Sequence, residues 1–359
     1  MTDPIRILFL ADTHLGFDLP IRPRVERRRR GHDFLANYAA ALAPALAGEV
    51  DLVIHGGDVF DRPGVIGTLA WQAFEPLLRI AEGGTPVVIV PGNHERSRLP
   101  HLRFAAHRNV HVFDRPRTFG VTVRGRRVAL TGFPYQRRNV RTEFGALLAA
   151  SGWEAEPADY RLLCFHHCVE GATVGPADFV FRSAPDVIRP EAIPAAFAAA
   201  LTGHIHRHQV LTHGLRGAAL PVPVLYPGSI ERTALAEIGE PKGYLILDLG
   251  SGAAAVQWSF RHLYARPMFR EQLNATGRSA DALAGAVAAL VRSVPEDAVL
   301  SIRLDGEVTA EQRAGLRADR LREIVPAAMN LELRYGDLRF ERRRRHRAPA
   351  PPPEQLTLE

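Results

Sequence analysis

Five short polar fragments each close an apolar run in the first 210 residues: Asp12 and His14 in ADTHLG, Asp58 and Asp61 in GGDVFD, Asn93 and His94 in PGNHE, His166 in CFHHC, and His204 and His206 in GHIH. They offer carboxylates, an amide oxygen and imidazoles, a nitrogen and oxygen donor set suited to manganese, iron or zinc in octahedral-like sites. The set exceeds what one divalent ion uses. A carboxylate can bridge two ions about 3.5 to 4 Å apart, the spacing that activates water against a phosphoryl centre, so the sequence predicts a two-metal site for phosphoester hydrolysis. Alternation in GHIH lets His204 and His206 each face one of two adjacent metals and leaves His208 to solvent or a phosphate. In CFHHC either His166 or His167 could be the ligand, while Cys164 and Cys168 read as small buried apolar groups. Any one fragment alone is an ordinary polar turn; the weight lies in five of them, in order, each ending a strand-like run.

Elements that could bring them together are legible in the same stretch. Runs rich in Val, Ile and Leu (IRILFLAD, VDLVIHGGD, TPVVIVPGNH, RLLCFHH, AALTGHIH) alternate with helical patterns over 32 to 47 and 68 to 82. VTVRGRRVALTGF reads as a hairpin turning at Gly125, and GYLILDLGSGAAAVQWSF as one turning at 250 to 252. Loops at the carboxyl ends of strands in an open α/β sheet converge on one edge. The predicted fold is a layered α/β sandwich over residues 1–264, mixed sheets flanked by helices. A small α+β capping domain follows over 265–341, with a helix from Ser279, a strand, a helix over 309 to 325 opened by Thr309 with Gln312 three residues on, and a last strand. Residues 342–359, RRRRHRAPAPPPEQLTLE, combine a charge run with a proline run and are expected to be disordered.

Composition excludes several classes. At 359 residues with 46% apolar and 23% charged residues, the chain is neither disordered nor fibrous. No apolar run reaches the length of a membrane helix, no secretory leader is visible, and two cysteines suit a reducing compartment, so a cytoplasmic protein is expected. The net charge of +6 suggests an anionic partner. However, 44 of the 45 basic residues are arginine and only Lys242 is lysine, a skew that base composition could produce. The placement of the arginines therefore matters more than their number.

The fragments DTHLG, GDVFD, GNHE, a strand-end histidine and GHIH resemble, in order and spacing, the calcineurin-like metallophosphoesterases. The stretches YPGSIERTALAEIGEPKGY and GHIHRHQVL look like the DNA-repair nuclease branch, the SbcD-type component of the bacterial double-strand-break exonuclease complex. The resemblance covers about residues 5 to 265. It implies one metal on Asp12, His14, Asp58 and His206, and a second on Asp58, Asn93, His166 and His204, with Asp58 as the bridge and His166 preferred over His167. It further implies His94 as general acid or phosphate contact, oriented by the Asp61 carboxylate. Two divalent ions, manganese in the first instance, would support exonuclease and endonuclease action on DNA ends in repair and recombination. The implied partners are DNA, an SMC-like coiled-coil ATPase of the SbcC type, and a second copy of the chain. Related nucleases extend past the capping unit with helices that grip the ATPase, whereas here an arginine and proline tail follows Glu341.

Phosphate contacts are expected from Arg27, Arg28, Arg29 and Arg30 in RPRVERRRRG, and from YQRRNVR at 135 to 141. A solvated helix start in an arginine-rich chain is the alternative for the first stretch, against which its place beside the ligand loop favours DNA, and the second stretch is the weaker candidate. Ser229 and Arg232, beside Tyr226, Gly228 and Glu231, are expected to meet the scissile strand, and Gln355, Leu356 and Leu358 in QLTLE resemble a sliding-clamp docking peptide. Two other functions remain open on the sequence: a phosphatase or small-molecule phosphodiesterase with the same metals, and a non-catalytic DNA-end-binding scaffold.

Overall fold

The structure, a computed structural model, describes residues 3–18, 30–250 and 256–335. The chain divides into two compact units, one of residues 1–269 with 295–299 and 326–330, the other of residues 270–294, 300–325 and those from 331 on.

Two six-stranded sheets make the centre of the first unit. One runs in the order Val256–His262, Gly243–Leu249, Ile5–Leu10, Leu52–His55, Val87–Ile89, Val110–Val112. Its last four strands are mutually parallel and the other two antiparallel to their neighbours. The second runs Gln209–His213, Ala219–Tyr226, Ala199–Thr202, Tyr160–Phe165, Arg126–Gly132, Arg117–Val123, with a parallel centre. The expected hairpin at Gly125 joins its last two strands, with φ +74° at the glycine.

Period-two alternation explains the layers. Ile7, Phe9, Ile54 and Val88 of one sheet pack with Val128, Leu130, Leu162, Leu201 and Leu225 of the other. Their neighbours Leu8, Leu10 and Val53 face the helices Gly31–Leu46 and Gly67–Glu82 through Phe34, Leu42, Phe74 and Leu77. On the far side, Leu163, Phe165 and Val224 pack on Phe144 and Leu148 of the helix Val140–Ala150. Because both faces of the parallel strands are covered, their sequences read as near-continuous apolar runs. Each of five parallel strands, ending at Leu10, His55, Ile89, Phe165 and Thr202, runs directly into one of the polar fragments.

The second unit carries the sheet order Met268–Asn274, Val299–Asp305, Asn330–Tyr335, with helices Ala280–Arg292, Ala310–Gly315 and Ala318–Ile324. Ser279 caps the first of these, accepting from Ala282 N at 3.1 Å, and Thr309 with Gln312 forms the expected capping box. The single helix expected over 309 to 325 is two: Gly315 weakens it, Leu316 is buried, and Arg317 turns extended with ψ 154°. Among the described residues no helix is long and apolar enough to cross a membrane. The tail 342–359 lies outside the described residues.

Candidate metal centre

The polar fragments meet where the two sheets share an edge. Past the end of its strand, the first loop continues to pair with the second: Asp12 N donates to Gly57 O at 2.9 Å, His14 N to Asp58 O at 3.0 Å and Leu15 N to Val59 O at 2.9 Å. Asp12, His14, Asp58 and His204 all hold left-handed backbone, at φ 51°, 41°, 51° and 82°. Such strain costs of order 1–3 kcal/mol per residue and persists only where the surroundings over-determine it. The surroundings here are tight: a Cβ on Gly57 would lie 2.2 Å from His166 Nδ1, and one on Gly92 2.1 Å from Asp58 Oδ1.

Donor atoms converge into overlapping groups. Asp12, His14 and His206; His14, Asp58 and His94; and Asp12, Asp58 and His166 each offer ligand atoms within 4.8 Å of one another. His166 Nδ1 donates to Gly56 O at 2.8 Å, and its Nε2 stands 3.3 Å from Asp58 Oδ2 and 3.1 Å from Asn93 Oδ1. His204 Nδ1 lies 2.7 Å from the same Asn93 oxygen. His14 Nε2 and His206 Nε2 stand 3.0 Å apart, about the separation of two neighbouring nitrogen ligands each ~2.1 Å from one ion. Burial drives the His14 imidazole far below its usual range and pushes His204 down to about 3. Burial would raise the Asp58 carboxyl, but the imidazoles of His166, His14 and His94 hold it well below the ordinary carboxylate range. Burial would lower His166 and His206 as well, but Asp58 raises the first to about 9 and Glu237 raises the second, so a divalent cation would displace a proton from each on binding.

Residues 5–208 match the family model described as calcineurin-like phosphoesterase. The chain belongs to that family. The phosphoesterase is 28% identical over 400 residues to the SbcD component of the nuclease SbcCD of Rhodobacter capsulatus, covering 98% of this chain and 91% of that one. It is 40% identical over 98 residues to the DNA double-strand break repair protein Mre11 of Haloferax volcanii, covering 26% of this chain and 20% of that protein. The Mre11 of Aeropyrum pernix is 25% identical over 270 residues, 70% of this chain and 60% of that one. The phosphoesterase thus spans less than two thirds of the length of several curated relatives it matches.

The remaining positions named from the sequence separate by their contacts. His94 stands at the rim, its side chain 37% exposed, with Nδ1 donating to the Asp61 carbonyl at 2.7 Å. Asp61 thus meets His94 through its backbone; its carboxylate faces Arg62 Nε at 3.3 Å and His14 Nδ1 at 3.9 Å. His167 points away from the carboxylates, accepting from Gln136 N at 2.9 Å and stacking on Tyr135. His208 donates to Tyr226 O at 2.9 Å and stacks on Phe260. Arg30 is buried and paired with Glu231, so it cannot meet a phosphate from this position; Arg27, Arg28 and Arg29 lie outside the described residues. Ser229 is fully buried, and the Arg232 guanidinium is committed to the carbonyls of Glu237, Arg266 and Glu240 at 3.0, 3.0 and 2.9 Å. That block therefore braces the site from behind. Arg137 and Arg138 are exposed, following Tyr135, whose ring lies 5.8 Å from that of His204. Gln355, Leu356 and Leu358 lie outside the described residues.

Sequence reasoning passed over four residues. Buried Glu95 accepts from Phe60 N at 2.7 Å and Gly92 N at 2.8 Å, tying two ligand loops; burial and the nearby Asp58 push its carboxyl up to about 8. His55 accepts from Gly57 N at 3.2 Å and donates to Thr13 Oγ1 at 3.0 Å, joining the first two loops from below. Glu237 and Lys242 stand behind His206. Glu95 sits inside the PGNHE fragment, and Lys242 is the chain's only lysine, so each left a signal of a kind.

Proposed function

We propose that this phosphoesterase is a DNA nuclease, an exonuclease and endonuclease for broken or structured ends in repair and recombination, using two divalent ions, manganese in the first instance. One observation carries the two-metal reading: the buried Asp58 carboxylate stands between two donor sets, 3.3 Å from His166 Nε2 and 4.0 Å from His14 Nε2, with His94 Nε2 at 3.9 Å on the open side. Asp12, His14, Asp58 and His206 would hold one ion, and Asp58, Asn93, His166 and His204 the other. When bound, such ions polarise phosphoryl oxygens and lower the pKa of water to near neutrality. The chain supplies the rest. His94, fixed through Nδ1 by the Asp61 carbonyl, presents its Nε2 at the rim; as an imidazolium it gives the Nε2 proton to the leaving oxygen.

DNA as substrate is supported by the names of the relatives and by basic side chains: exposed Arg137 and Arg138 near the site, and Arg27, Arg28 and Arg29 soon after the first ligand loop in sequence. On the same reading the partners are a coiled-coil ATPase of the SbcC type and a second copy of the chain, for which exposed Ile66, Trp71 and Leu102 offer apolar surface, and the setting is the cytoplasm. The test is hydrolysis of end-labelled duplex DNA, in parallel with a phosphomonoester and a cyclic nucleotide, with manganese, magnesium or chelator. Metal-dependent shortening of the duplex, weakened by salt, supports the nuclease. Turnover of the small esters with the duplex left whole would make it a phosphatase or small-molecule phosphodiesterase. Duplex binding without hydrolysis of any substrate would leave a scaffold.

A further inference from the structure

Lys242 is 1% exposed in a sequence whose other basic residues are all arginine. Its Nζ lies 2.9 Å from the His206 carbonyl, 2.9 Å from Ser229 Oγ, 2.5 Å from Glu237 Oε2 and 3.5 Å from Glu240 Oε2. An ammonium group sends three donors outward from a point, whereas a guanidinium is a flat fork that needs a plane of acceptors. Acceptors scattered around a point select lysine, even in a chain biased toward arginine.

The other end of this contact reaches the same histidine. Glu237 Oε1 accepts from His206 Nδ1 at 3.2 Å and from Thr233 Oγ1 at 2.7 Å. A histidine that donates through Nδ1 presents its Nε2 lone pair, and here Nε2 faces His14 Nε2 at 3.0 Å. The His206 carbonyl also accepts from Ser229 N at 3.0 Å, and a Cβ on Gly228 would lie 2.8 Å from it, so the loop has no room to shift. His206 is thus gripped at its backbone by Lys242 directly and at its ring by Lys242 through Glu237. Arg207 is held alongside, its Nε 3.0 Å from Glu240 Oε1.

Resting on the two-metal reading above, we propose that Lys242 and Glu237 are positioning residues that fix the tautomer and place of His206, and thereby set the affinity of one of the two ions without touching the other. Groups that orient a metal-bound histidine in this way typically alter metal affinity or activity about 10- to 100-fold.

The test is calorimetric titration of the metal-stripped full chain with manganese, joined to duplex hydrolysis at rising manganese. Glu237→Gln and Lys242→Arg, the second keeping the charge, should weaken one ion about 10- to 100-fold and leave the other at its wild-type affinity. Their kcat at limiting manganese should fall, the KM for DNA should hold, and excess manganese should restore activity. Thr233→Val, which removes one hydroxyl and no charge, should give a smaller loss at the same ion, and it decides the matter if either charged-site variant does not fold. Wild-type affinities in the variants, or equal weakening of both ions with a lowered melting temperature, would overturn the proposal. Selective loss of one ion in a chain that never cleaves DNA would sink the nuclease reading and leave the positioning role intact; a wild type that binds no manganese would overturn both.

Discussion

His14 Nε2 and His206 Nε2 face each other at 3.0 Å across 192 residues of sequence, one carried past the end of a strand in the first sheet and the other past the end of a strand in the second. Two lone pairs at that distance repel unless a proton or a cation lies between them, so the two sheets are coupled at this edge through whatever binds there.

Metal removal should therefore loosen the fold itself. Manganese at 100 times its dissociation constant should stabilise the chain by about 2.7 kcal/mol per site, and chelator should lower the melting temperature by the corresponding amount. Differential scanning calorimetry with and without chelator reads this; an unchanged transition would mean that no ion is held between the sheets.

Asp58→Ala removes a carboxylate placed against His14, His94 and His166 together. Activity should fall by at least about 100-fold, and bound metal should drop at both positions. Metal analysis beside the rate measurement checks it; loss of a single ion would deny Asp58 its bridging place.

Arginines that look alike in the sequence should separate by experiment. Arg30→Gln breaks a buried pair with Glu231 and should cost about 3–5 kcal/mol in urea unfolding. Exposed Arg137→Gln and Arg138→Gln should leave stability alone and flatten the salt dependence of duplex binding by about 0.9 log units each. A flat response from Arg137 and Arg138 would return them to the solvated surface.

His55 gives a pH signature. Burial first, and the neighbouring His166 next, push its imidazole down to about 3, so the unfolded chain takes up a proton below pH 6.5 that the folded chain refuses. Stability from this residue is whole above pH 6.5 and is lost as the pH falls from there toward 3, at about 1.4 kcal/mol per pH unit. Between pH 6.5 and 5 the metal-free wild type should lose roughly 2 kcal/mol more than His55→Gln. Parallel losses in the two proteins would show that His55 takes its proton within the fold.

Much of this site was legible because parallel strands buried on both faces read as apolar runs, and a run that breaks into Asp, Asn or His at five strand ends has no packing reason to do so. What sequence hides is backbone: the Asp61 carbonyl, and not its carboxylate, meets His94, and no residue type announces a carbonyl. Arg30 and Ser229 were expected to meet DNA from their places after ligand loops, while their burial depends on Glu231, about 200 positions from Arg30. Glu237 ends a single 3-10 turn, Leu235–Glu237, too short to carry a period that a carboxylate could depart from. The break at Leu316 likewise reflects that side chain's burial in the second unit, a tertiary preference that overrode the helical period.

The most direct test of the account is to count manganese per chain and measure duplex cleavage on the same preparations of wild type and His94→Ser. Two ions in both proteins, with phosphodiester cleavage abolished only in His94→Ser, is the predicted result. Loss of metal in His94→Ser, or cleavage that survives in it, would contradict the division between metal-holding residues and a proton donor at the rim.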